Sequence, residues 1–222
     1  KLRLACQAKV YGDLLVFVPE SSRGNRQIVR KSARERRIDL RPAVRKYYVE
    51  MEPPTLAHPL GDWERLLAAL MPAMERVHTE PGWQPPAPDD LGVDYPVLLK
   101  LAETLRERQW KATVTVWDDR EVIDIQPGYQ DEAYGAAVDI GSTTIALYLC
   151  DLHTGEIVAS DSMMNPQTAY GEDIMSRVSY AIEHPEGLET LNRAVVEALN
   201  TLLKRTRRER RLKPEDILEV VL

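Results

Sequence analysis

Two apolar runs, Ala136-Ala137-Val138 and Ile145-Ala146-Leu147-Tyr148-Leu149, flank a short hydroxyl-rich segment, Gly141-Ser142-Thr143-Thr144, and Asp139 stands just before it. The pattern predicts a strand, a tight turn and a returning strand. Small and hydroxyl residues in such a turn leave backbone N–H groups and side-chain oxygens facing one concavity, which is a chemical description of a phosphate cradle. Asp139 would sit at its lip. A single carboxylate beside a phosphate suits Mg2+, a hard cation that keeps most of its waters and takes few protein oxygens. The segment therefore reads as nucleotide binding. It also fits an ordinary hairpin whose Gly supplies a positive φ and whose Thr residues favour the strand.

The rest of the composition narrows the alternatives. A chain of 222 residues, 44% apolar and 29% charged, can bury one large core or two small ones. No apolar run approaches a bilayer-spanning length, and Lys1-Leu2-Arg3-Leu4-Ala5-Cys6 does not read as a signal peptide, so a cytoplasmic protein with no membrane partner is expected. The two cysteines, Cys6 and Cys150, lie too far apart for a disulfide framework. Taken alone, each reads as a small buried hydrophobe. His58, His78, His153 and His184 have no metal-ligand spacing, and Trp63, Trp83, Trp110 and Trp117 read as core anchors.

Charge is segregated. Lys1 to Lys46 carries 13 Lys or Arg against four Asp or Glu, although the whole chain has a net charge of -6. The cluster Arg30-Lys31-Ser32-Ala33-Arg34-Glu35-Arg36-Arg37 is basic enough to touch nucleic acid. It has no interleaved aromatics and sits in an acidic chain, so no nucleic-acid partner is expected. A solvated linker, or a docking surface for an acidic partner, remains.

Periodicity organises the chain into four parts. Leu2 to Val10 alternates, turns at Tyr11-Gly12-Asp13 and returns from Leu14 to Val18 as a hairpin (region 1–20), and a basic linker fills 21–46. Region 47–128 opens with a strand, Tyr47 to Glu50. A helix follows from Asp62 to Val77 with Leu66, Leu67, Leu70 and Met74 on one face, then a second from Tyr95 to Arg108. Strands Lys111 to Trp117 and Val122 to Gln126 complete a small α+β domain with both helices on one sheet face. Region 129–222 begins with the Asp139 hairpin, adds a third strand from Glu156 to Ser162, then helices Glu172 to Ile182 and Leu188 to Arg208, and a last strand after Lys213-Pro214-Glu215-Asp216. Three antiparallel strands, helices and a fourth strand form the opening half of a ribonuclease-H-like fold. The chain starts without Met inside a predicted strand and stops in the apolar run Ile217 to Leu222, so it reads as an internal piece of a longer protein.

Several segments resemble a known family. Val138-Asp139-Ile140-Gly141-Ser142-Thr143-Thr144 looks like the first phosphate motif of the acetate kinase, sugar kinase, chaperone and actin ATPases. Asn165-Pro166-Gln167-Thr168-Ala169-Tyr170-Gly171-Glu172-Asp173-Ile174-Met175-Ser176-Arg177 resembles, more narrowly, the segment after the third strand in reductive activators of corrinoid proteins. In that family a plant-type ferredoxin domain is fused to an ATPase of this superfamily. Leu4-Ala5-Cys6-Gln7 is similar to the family's last cluster cysteine, and Ala43 to Glu50 with Pro53-Pro54 is similar to its entry into the middle domain.

The resemblance implies ATP-dependent electron transfer from a 2Fe-2S cluster to cobalt(II), restoring cobalt(I) in a corrinoid protein. Its implied cofactors are the cluster, ATP and Mg2+. Its implied partners are the corrinoid protein and an electron donor protein or reductant, and a homodimer is open. By the same resemblance Cys6 is an iron ligand, Asp139 the Mg2+ or water anchor, and Gly141, Ser142, Thr143 and Thr144 the phosphate donors. Asn165, Gln167 and Asp173 are carried to the cleft, although together with Arg177 they equally suit the capping and bracing of a helix. The pattern departs from the family in one respect: a plant-type cluster needs four thiolates, three of them in a C-x4-C-x2-C run, and only Cys6 is here. This stretch alone is thus expected to hold no complete cluster and to hydrolyse little ATP. A small-molecule kinase of the same superfamily and a non-catalytic docking module are the rival readings.

Overall fold

The computed structural model describes residues 40–78 and 82–222, with a few isolated positions between 9 and 17. The expected N-terminal hairpin, Cys6 and the basic cluster lie outside the described residues. Two compact units divide the chain, Lys1–Arg34 and Glu35–Leu222, and every element below belongs to the second.

The first half of that unit is a four-stranded sheet carrying two helices. Its elements are β1 (Val44–Glu50), α1 (Asp62–Val77), β2 (Gly92–Val93), α2 (Tyr95–Glu107), β3 (Lys111–Trp117) and β4 (Glu121–Pro127). The strand order is β1-β3-β4-β2, with β2 parallel to β4 and the other pairs antiparallel. Leu66, Leu70 and Met74 recur at helical spacing and are fully buried, which seats α1 on the sheet, while α2 contributes Val97, Leu101 and Leu105. The expected pair of helices on one sheet face is present. The two-residue β2 and the three extra N-terminal residues of β1 were not legible as strand. Trp110 is buried in this core, but Trp117 is 44% exposed, a correction to its reading as a core anchor. It ends β3 at a turn, where no layer covers it.

That three-residue turn, Asp118 to Arg120, is closed by Arg120 N–H donating to Trp117 O (2.9 Å), and its Asp118 and Asp119 both have positive φ (49° and 56°), a turn conformation matched to strand twist. Its geometry directs the Asp119 carboxylate inward. Asp119 accepts from Trp83 Nε1 (3.1 Å) and Tyr47 Oη (3.3 Å), and lies 3.1 Å from Nε2 of the buried His78, whose ring stacks on Trp83 at 3.8 Å. Burial, first, and the neighbouring Asp119 charge raise the Tyr47 phenol well above its usual pKa. This polar cluster ties the end of α1 to β1 and the β3–β4 turn.

The second half contains β5 (Tyr134–Ile140), β6 (Thr144–Asp151), β7 (Ile157–Met164), α3 (Ile174–Glu183), α4 (Gly187–Glu209) and β8 (Ile217–Val221). The sheet runs β7-β6-β5-β8, antiparallel except that β8 lies parallel to β5 after a helical crossover. This is the order of the opening half of the ribonuclease-H-like fold, as the sequence predicts. Ala136, Val138, Ile145 and Leu147 point to one face and pack on Ala198 and Leu202 of α4. Residues of the other parity, including Asp139, point to the opposite face. Between the halves, Lys46 of β1 donates to Glu132 O and to Gln126 Oε1, so the connecting segment is anchored to the first sheet.

Leu70→Ala should lower stability by about 2–5 kcal/mol because its site is closed on every side. Leu99→Ala, on the exposed face of α2, should change it by less than about 0.5 kcal/mol. Urea denaturation of both variants checks the assigned faces.

Candidate nucleotide-phosphate site

The hydroxyl-rich segment is the connection between β5 and β6. Gly141 N–H donates to Thr144 O at 2.9 Å and closes the turn. A Cβ at Gly141 would stand 2.7 Å from that same oxygen, so only glycine lets the two strands approach here. Ser142 and Thr143 are exposed at the tip.

The carbonyls of the turn are captured from one side. Asn165, 1% exposed at the end of β7, donates from Nδ2 to Gly141 O (2.8 Å) and from its backbone N–H to Thr143 O (2.8 Å). Arg177 of α3 donates from a terminal guanidinium nitrogen to Ser142 O. Asn165 Oδ1 accepts from Gln167 N (3.0 Å), which fixes the orientation of the Asn amide. In a trans peptide the C=O and N–H point in opposite directions, and no described peptide is cis. Binding the carbonyls of residues 141, 142 and 143 inward therefore turns the N–H groups of Ser142, Thr143 and Thr144 outward. Among the described residues, no hydroxyl of Ser142, Thr143 or Thr144 has a hydrogen-bond partner. The result is a row of backbone donors facing away from Asn165 and Arg177, an arrangement suited to an anion.

Asp139 lies two residues before the turn, exposed on the sheet face away from α4, and its carboxylate has no partner among the described residues. A carboxylate held at the edge of an outward row of N–H groups can take a hydrated divalent cation that also touches a bound phosphate. Asp173 is not at the turn. Its side chain caps α3 by accepting from Ser176 N (2.7 Å), and the Ser176 hydroxyl returns the contact, a capping box that the sequence reading had left as one alternative. Those hydrogen bonds, the backbone one first, hold its pKa below the usual carboxylate value. Gln167 faces away from the tip: Nε2 donates to Leu191 O of α4 (3.1 Å) and Oε1 meets Arg177 (3.4 Å). Two surface depressions lie elsewhere, one along α4 at Leu188, Asn192 and Val196 and one between Lys100 and Asp216.

Sequence reasoning placed the turn and missed what orients it. A clue was present in Arg177, a charge on the inward side of a short helix, but nothing local told which carbonyl it would meet. The Tyr47–His78–Asp119 cluster had no sequence signal, because its members are distant in the chain. Cys150 is half-buried on β6, where burial raises its thiol pKa, and among the described residues no group of three or more His, Cys, Asp or Glu could hold a metal ion.

Comparison with known proteins bears on this geometry. Residues 33–132 match the family described as the RACo linker region, and residues 134–222 match the family described as the RACo middle region. The chain belongs to the RACo family. It is 32% identical over 130 residues to the corrinoid activation enzyme RamQ of Eubacterium limosum, a match covering 58% of this chain and 22% of RamQ. It is also similar to the solved structure of a reductive activator for corrinoid, iron-sulfur protein, with a TM-score of 0.67 and 28% identity over 84% of this chain and 28% of the other. The chain thus spans about a quarter of each relative. Among the described residues, no helix is long and apolar enough to cross a membrane.

Two outcomes test the site's construction. Gly141→Ala should cost about 1–3 kcal/mol through the clash with Thr144 O, with faster amide exchange in the β5–β6 turn and in α3, which Arg177 joins to it. Asp173 has a lowered folded pKa, so its contribution is complete above the unfolded carboxyl pKa and is lost as pH falls through the folded value. Asp173→Ala should therefore loosen α3 at neutral pH, with the difference from the parent vanishing in acid, as read by amide exchange across a pH series.

Proposed function

We propose that this chain forms the linker and nucleotide-phosphate parts of an ATP-dependent reductive activator, whose partner is a corrinoid protein in the cobalt(II) state. The observation that supports it is the β5–β6 turn with three N–H groups facing outward beside Asp139, within a chain of the RACo family.

The residues fit a nucleotide phosphate and a Mg2+ ion. Ser142, Thr143 and Thr144 would donate to phosphate oxygens, and Asp139 would hold the cation through its waters. They do not fit a complete 2Fe-2S cluster. Four thiolates are needed, the chain has Cys6 and Cys150 alone, and the described residues contain no metal-ligand group. Cys6 stays a proposed iron ligand on the family resemblance only.

Returning an electron to cobalt(II) is unfavourable with ordinary donors, and each 59 mV of one-electron deficit costs about 1.4 kcal/mol. Nucleotide can offset this only by binding two conformations of the protein unequally. In this reading the β5–β6 turn and its braces are where that difference in binding is generated.

The test uses the protein expressed from its whole reading frame, a cobalt(II) corrinoid protein and a chemical reductant, with cobalt(I) followed by visible absorption. Cobalt(I) should accumulate only with Mg-ATP, and Asp139→Asn should weaken Mg-ATP binding by roughly tenfold while leaving Mg-free ATP unchanged. Accumulation that ignores nucleotide would overturn the assignment.

A further inference from the structure

Arg177 is 7% exposed, and among the described residues no carboxylate pairs with it. Its guanidinium spends its donors on neutral oxygens: Nε to Gly171 O (2.9 Å), one terminal nitrogen to Gln167 Oε1 (3.4 Å), the other to Ser142 O. Asp173 feels the charge at longer range, but its own oxygens are engaged with Ser176. A buried cation without a counter-ion is costly, and proteins seldom keep one unless an anion completes it.

We infer that Arg177 is a positioning residue of the nucleotide site: it fixes the outward direction of the turn's amides and lends its positive charge to the phosphate bound in front of them. This rests on the phosphate reading of the β5–β6 turn and adds to it the source of the site's charge. The turn contains no Lys or Arg of its own, and the Arg177 guanidinium is bonded directly to its Ser142 carbonyl.

The surroundings keep Arg177 in place. A Cβ on Gly171 would fall 2.8 Å from Arg177 N, so Gly171 alone allows its carbonyl to come so close to α3. Gln167 is in turn held to α4 through Leu191 O. Three acceptors in three directions match the forked guanidinium and not the single ammonium of lysine. Lysine would keep the charge and lose the fork, which separates the two parts of the inference.

A residue that only held the fold together would affect all ligands of the protein alike, and one that aimed the turn's amides without contributing charge would not let lysine recover affinity. Affinities for Mg-ATP, Mg-ADP and adenosine are therefore measured by calorimetry on the parent protein, Arg177→Met and Arg177→Lys, each expressed from the whole reading frame. Arg177→Met should weaken Mg-ATP by roughly tenfold or more and leave adenosine within about twofold, and Arg177→Lys should recover part of the loss, with a weaker salt dependence in the Met variant. Equal loss for ATP and adenosine, or none for either, overturns the inference while leaving the phosphate reading intact. Failure of the parent to bind Mg-ATP overturns both. Should Arg177→Met fail to fold, Gln167→Leu frees one guanidinium nitrogen without removing charge: a selective fall in ATP affinity supports the inference, and unchanged affinity overturns it.

Discussion

Three successive carbonyls at residues 141, 142 and 143 are drawn to one side of the β5–β6 turn by Asn165 and Arg177. The outward direction of the turn's N–H groups depends on that capture. Hydroxyl-rich turns are flexible in isolation, and without the capture each peptide could rotate and present a carbonyl where an N–H is needed. With it, the donors are aimed before any ligand arrives, so a bound anion would not have to bear the ordering cost. The capture also explains the glycine: the strands must approach within a distance that no side chain at 141 permits.

The two braces come from different elements and are themselves braced. Asn165 sits on the backbone where β7 leaves the sheet, and its position follows from the β6–β7 register, in which Thr144 faces Met164. Arg177 depends on α3, whose start is set by the Asp173 capping box. Gln167 links both to α4, which is anchored in turn by Leu202 and Ala198 against the sheet. A chain of short polar contacts thus runs from a well-packed core to an exposed turn, and each step removes rotational freedom that the next one needs removed. The first sheet is built differently: its polar cluster of Tyr47, His78, Trp83 and Asp119 closes an end of the core and supports no exposed row of donors.

Much of this architecture was legible in the sequence because it follows from periodicity. The apolar spacing of α1 and α4, the alternation of β5 and β6, and the glycine at a strand junction are local signals, and they recovered the four helices, the β3–β4 and β5–β6 hairpins and the meander of the second sheet. The polar braces were not legible. Asn165 and Asp173 both precede a helical turn and both accept from a backbone N–H just beyond, yet only Asn165 also carries an amide N–H to donate, and it reaches Gly141 O of the β5–β6 turn while Asp173 closes its own helix. What the sequence does not tell is which carbonyl that amide meets, since this is set by where β7 ends relative to β6. Trp117 failed for a related reason. Aromatic bulk predicts burial only on the face that meets a second layer, and Trp117 has the parity opposite to Ala112, Val114 and Val116, which pack with the helices.

Helix α3 carries the consequence furthest. Arg177 is its one buried side chain, and Ile174, Met175, Val178 and Ile182 form an exposed apolar stripe on its other side. A helix that buries a single residue contributes little apolar area to its own attachment, so its free energy of local opening is set by polar contacts rather than by the core. Those contacts are the ones to Ser142, Gly171 and Gln167, together with the close approach of Gly187 to Tyr180 O. Strengthening or weakening the turn must therefore be felt in α3 before it is felt in the sheet. An anion that tightens the turn tightens Ser142 O against Arg177, and the gain falls on an element whose stability is small enough for it to matter. The rigid part of the second half is the sheet with α4; the responsive part is the turn with α3, and Arg177 is the side chain that joins them.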